Sequence, residues 1–245
     1  MAKDILYRAM KDIAKSKGVK ASPQHDLYKM IPPYFLNAFY YEITDKKAAK
    51  MEMNIHYEAK CSYFDELKIK MIDPDSTIKI TDKVRANSVI HFQSIIAKEV
   101  IGFDFDGKDE TYIEIAGKTF DHIEKWYGDF FDDVKNRYGD LENFFISNSD
   151  EFLMQAAFVY IDQKKYDLAE ACISKLPSKL NSCRSVTPES EEEENRLIDS
   201  NAKRFGNTFL RDDMDCIIDY VASQKNGIEW TAKHARYGLL KEERG

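Results

Sequence analysis

The chain has 245 residues, 43% of them hydrophobic and 13% aromatic, with 36 Lys and Arg against 43 Asp and Glu for a net charge of -7. A chain of this length buries about 70 to 75% of its unfolded surface, and the aromatic content is too high for a disordered chain, so a globular protein is expected. The acidic balance argues against a nucleic-acid binder, which gathers Lys and Arg on one face, and favours a basic partner. No stretch reaches the roughly 18 apolar residues of a spanning helix, so no membrane partner is expected. The start, MAKDILYRAMKDIAKSKG, mixes acidic residues with its lysines and lacks the apolar core of a signal peptide. Cys61, Cys172, Cys183 and Cys216 are widely spaced with no CxxC pair, which predicts reduced thiols and a cytoplasmic setting.

In chain order, Ile5, Leu6, Ala9, Met10 and Ile13 recur at helical spacing before Gly18 and predict an amphipathic helix over 3–17. YFLNAFYYEI (34–43) reads as a strand. MEMNIHYEAK alternates, with Met51, Met53, Ile55, Tyr57 and Ala59 on one side and Glu52, Asn54, His56, Glu58 and Lys60 on the other, as a half-buried strand does. Phe64, Leu67 and Met71 suggest a short helix ended by DPDS, after which SVIHFQSIIA, EVIGFDFD and TYIEIA read as further strands. From Lys118 the period becomes helical: Phe120, Ile123, Tyr127, Phe130, Phe131, Val134 and Tyr138 form one face up to Gly139. Helices are expected over 149–162, 165–176, 212–225 and 229–242. The expected fold class is α+β, an antiparallel-rich sheet with an N-terminal helix in the first half and an all-helical second half. This gives a mixed region, 1–117, and a helical region, 118–245, with a polar connector near 177–195, either separate or fused through the helix 118–138.

The stretch VIGFDFDGKDET (100–111) resembles the nucleophile strand of the haloacid-dehalogenase phosphatases, which implies Asp104 as nucleophile and Asp106 as acid/base. That superfamily needs a doubly wound sheet with several later strands, and the chain beyond 117 reads helical, so the match is taken as chance. A hairpin fits the pattern better. A loop of Gly107, Lys108 and Asp109 would oppose Phe105 to Thr111, Phe103 to Ile113 and Ile101 to Ile115. On its outer face that register gathers Asp104, Asp106, Glu110 and Glu114, a weak candidate for a hard cation.

The histidines, His25, His56, His91, His122 and His234, show no HExxH spacing, and no GxSxG, P-loop or GxGxxG is present. No cofactor is expected. EFLMQAAFVYIDQKKYDLAEACISKLP (151–177) resembles a single tetratricopeptide unit, with Leu153, Ala157, Tyr160, Tyr166 and Ala169 at the signature positions, which implies a helical hairpin. The expected function is a non-enzymatic protein-binding module, one version being a bacterial immunity or antitoxin-type protein that covers a basic partner. Its candidate contacts are Glu191, Glu192, Glu193 and Glu194 in the connector and Tyr160, Tyr166 and Trp230 in the helical half. The alternative is a metal-dependent phosphohydrolase using Asp104 and Asp106.

Overall fold

The structure is a computed structural model that describes residues 2–23, 25–87, 92–176 and 213–238. It is α+β, and two compact units divide the chain: residues 1–63 with 80–144, and residues 64–79 with 145–245.

The first unit is built on a five-stranded antiparallel meander of β1 (Lys20–Ala21), β2 (Asp26–Ile31), β3 (Tyr34–Asp45), β4 (Lys50–Cys61) and β5 (Ile95–Asp104), ordered as in the chain. The register puts Leu36, Ala38 and Tyr40 opposite Ala59, Tyr57 and Ile55. All of the apolar side of β4, from Met51 through Ala59, is therefore buried beneath helices. Two helices cover this side. From α1 (Ala2–Ser16) come Leu6, Met10 and Ala14, and from α4 (Asp109–Tyr138) come Tyr112, Ile115, Ala116, Phe120 and Ile123. The α4 residues follow the i, i+3, i+4 stripe that brings one helix face to a core.

The sheet's other side carries α3 (Asp82–Asn87), where Ala86 packs on Tyr28 and Phe35. Here Lys60, only 1% exposed, donates from Nζ to the Arg85 and Phe92 carbonyls, each at 2.9 Å, and lies over the Phe35 ring. Beside it, Asn37 Nδ2 donates to Asp26 Oδ1 (3.3 Å) and Glu58 Oε2 (3.0 Å), and Ser22 Oγ donates to Asp26 Oδ2 (2.7 Å). All four side chains are buried, and hydrogen bonds are what make such burial tolerable.

The second unit contains most of α2 (Tyr63–Ile72), then α6 (Leu153–Asp162), α7 (Tyr166–Ile173), α8 (Asp213–Lys225) and α9 (Ala232–Tyr237), while α5 (Leu141–Ser147) spans the boundary. Phe64, Phe145 and Phe158, all fully buried, form its aromatic centre, with rings 5.6 to 6.0 Å apart. α6 and α7 are joined by three residues and bury Ala157 and Ala169 completely, small side chains that let the two helices approach. Lys225 ties α8 to α7 through Asp167 and Glu170.

The hairpin expected over 100–115 does not form. Residues 109–138 are one helix, so TYIEIA is its beginning rather than a strand, and helix α4 starts nine residues before the expected Lys118. Phe103 instead opposes Met51 of β4, and Ile113, expected to face the core, is 53% exposed. Of the two strands expected over 88–106, residues 88–91 lie outside the described residues and the described part forms one strand, β5; the last helix is limited to Ala232–Tyr237 among the described residues.

Candidate ligand-binding cleft

Between α4 and strands β2 and β3 lies a cleft of about 440 Å³. Its floor is Leu27, Leu36, Phe120 and Ile123, each no more than 5% exposed. Its mouth is lined by Lys29, Ile31 and Pro32 on the sheet side and by Glu124, Gly128, Phe131 and Asp132 on the helix.

Two aromatic residues fix the walls. The Tyr127 hydroxyl is held between the main-chain oxygens of Asn37 (2.6 Å) and Glu58 (3.0 Å), so the ring is anchored to β3 and β4. Burial, then the Glu58 carboxylate, push this phenol well above its ordinary range. Tyr34 stacks on Phe131 at 5.6 Å, and burial raises its phenol too. Both stay neutral near pH 7, leaving the charge at the mouth to Lys29, Glu124 and Asp132.

Gly128 is helical, and a Cβ placed there would meet nothing within 4 Å. Glycine weakens a helix interior, but here its missing side chain widens the mouth of the cleft.

The aspartates of FDFDG lie where β5 gives way to α4. β5 ends at Asp104, and a turn through Gly107, at φ +82, leads into α4. Asp106 Oδ1 accepts from the Lys108 N–H (3.1 Å) and the Thr111 hydroxyl (2.5 Å), which ties the turn to the first turn of α4. The Lys108 ammonium, Thr111 and that N–H hold the Asp106 carboxyl far below the usual carboxylate range. Asp104 is paired with Lys50 at 2.5 Å, which also lowers it. Both line a shallow depression with Ala48, Ala49 and Thr111. Glu110 and Glu114 are on α4 instead of a shared hairpin face, and Glu114 pairs with Lys118 one turn on. Among the described residues no group of three or more His, Cys, Asp or Glu is placed to hold a metal.

The other expected contacts are scattered. Glu191 to Glu194, Cys183 and His91 lie outside the described residues. Tyr160 and Tyr166 belong to the α6–α7 pair, both half-buried. Trp230 donates from Nε1 to the Met71 carbonyl at 2.9 Å and meets Tyr220 edge-on, so it serves the packing of the second unit. His234 caps α9, its Nδ1 accepting from the Thr231 N–H at 3.2 Å. His122 lies 2.7 Å from Glu99, which also accepts from the Tyr57 hydroxyl. His56 sits on the open side of the sheet, where burial and then Lys98 hold its imidazole below the ordinary range. Cys61, Cys172 and Cys216 are free thiols, and burial raises Cys172.

Sequence reasoning placed Phe120, Ile123, Tyr127 and Phe131 on one face of a helix but did not single out the cleft they line. The available signal was Gly128 inside an otherwise strong helical pattern, a glycine that needs a packing or functional reason. No family model matches this chain, and neither does any curated protein or solved structure.

Proposed function

We propose that the protein is a non-enzymatic binding module whose first unit holds an apolar group in the cleft between α4 and β2–β3. The observation that carries this reading is the contrast between a buried apolar floor and a few charged groups at the mouth, the usual anatomy of a small-ligand site. The lining residues include no Ser, Cys or His to act as nucleophile or base. The basic partner expected from composition is supported by Glu124 and Asp132 at the mouth.

Calorimetric titration with octanol tests the reading, since each buried methylene contributes about 0.8 kcal/mol. Wild type binds and Gly128→Phe does not, because the new ring fills the open space at the mouth while the helix keeps its stability. Equal affinity in the two proteins contradicts the proposal.

A second reading, a metal-dependent phosphohydrolase, is favoured by the depression that Asp104 and Asp106 share with Thr111. It requires both carboxylates to leave their lysines, Lys50 and Lys108. Magnesium-dependent hydrolysis of a generic phosphate monoester that is abolished by Asp104→Asn would establish it in place of the binding reading.

A further inference from the structure

α4 presents two adjacent stripes to the cleft. Phe120, Ile123, Tyr127 and Phe131 form the apolar wall. Beside them Glu124, Gly128 and Asp132 follow at i, i+4 and i+8, so two carboxylates flank a position with no side chain, each about 6 Å from it along the helix axis. Residues 121–133 contain five carboxylates, Asp121, Glu124, Asp129, Asp132 and Asp133, against one lysine, Lys125. Glu124 is 3.5 Å from Lys17, whereas Asp132 makes no ion pair among the described residues. Across the mouth stands Lys29, the one cation among the lining residues.

A ligand that fills the floor must place its polar end among these groups. A cation there meets Asp132, and Glu124 where it faces Lys17, beside the stacked rings of Tyr34 and Phe131. An anion meets Lys29 and is opposed by Asp132, the lining carboxylate that no ion pair offsets among the described residues. Resting on the cleft reading above, we propose that the ligand is a free amphipathic amine, with its apolar body on Leu27, Leu36, Phe120 and Ile123 and its ammonium beside Asp132. A small molecule suits the site better than a protein segment because the cleft is a concavity of about 440 Å³, the size of a small-ligand site.

Octylamine, octanol and octanoate share one chain length and differ in the head group, so calorimetric titration of the full chain with each at pH 7 and low salt isolates the charge. Octylamine should bind about fivefold more tightly than octanol, the range of one exposed ion pair, and octanoate more weakly than octanol. Asp132→Asn should remove the amine's advantage, bringing octylamine affinity down to that of octanol for the same variant. Octanoate binding as tightly as octylamine, or an undiminished amine preference in Glu124→Gln/Asp132→Asn, overturns the inference while leaving the cleft reading in place. Tighter binding of the capped peptide Leu-Lys-Leu than of octylamine overturns the small-molecule assignment. Failure of octanol itself to bind wild type overturns the cleft reading and this inference together.

Discussion

The two sides of the first unit's sheet are built on the same strands and solve burial differently. Toward α1 and α4 the side chains are apolar, and the residual space between them becomes the cleft. On the other side, Asp26, Asn37, Glu58 and Lys60 are as deeply buried as the apolar core, and each makes side-chain hydrogen bonds, with Asn37 Oδ1 left without a partner among the described residues. Further along that side, Phe39, Tyr41 and His56 form a ring cluster with centroids 5.9 to 6.1 Å apart, and Val100 and Ile43 are 60% and 53% exposed. Shape therefore decides one side and hydrogen-bond satisfaction the other. An apolar side can leave a gap at moderate cost; a buried polar side cannot leave a group unpaired without a larger one.

That contrast fixes the order of expected mutational effects. Phe120→Ala should cost about 3 to 5 kcal/mol by chemical denaturation, since its ring is 1% exposed in the helical core. Phe130→Ala, half-buried against Trp126 and Phe144, should cost about 1 to 2 kcal/mol. Equal losses would mean that the core-facing stripe of α4 is misplaced. Asn37→Leu should cost about 2 to 3 kcal/mol, because it withdraws two donors from buried carboxylates without making a cavity. A neutral outcome would show that hydrogen bonding does not govern that side.

Gly128→Ala should move stability the other way, gaining about 0.5 to 1 kcal/mol from helix propensity with no clash to offset it. A loss would mean that the space beside Gly128 is filled. Asp106→Ala should have the smallest effect, a slight lowering of the thermal midpoint at pH 7. The folded Asp106 carboxyl lies below its ordinary value, so its contribution is present above about pH 4 and fades as pH falls through the folded value. Wild type and variant should therefore converge in acid, and a gap that widens there would contradict a stabilising role for these hydrogen bonds.

The sequence made the helical side readable because its signal is periodic. Met51 through Ala59 alternate without exception, and Phe120, Ile123 and Tyr127 recur at helical spacing. Alternation also put Glu58 and Lys60 on the opposite side from the apolar residues, but it says nothing about what covers that side, and burial there depends on α3 and on partners distant in the chain. The start of α4 was misread for a local reason. TYIEIA is rich in β-prone residues and alternates over six positions, too short a window to oppose the longer stripe of Tyr112, Ile115, Ala116, Thr119 and Phe120 that tertiary packing selects. Nor could the pattern reveal that Asp106 would accept from Thr111 and the Lys108 N–H, since those contacts depend on where the strand stops.

The central claim is that a ligand enters the gap on the helical side of the sheet. Amide chemical-shift mapping of the full chain during titration with octanol tests it most directly. The account predicts perturbations concentrated at Leu27, Leu36, Phe120, Ile123, Gly128 and Phe131. Shifts clustered instead at Tyr41, His56 and Val100 on the open side, or none at saturating octanol, would contradict it.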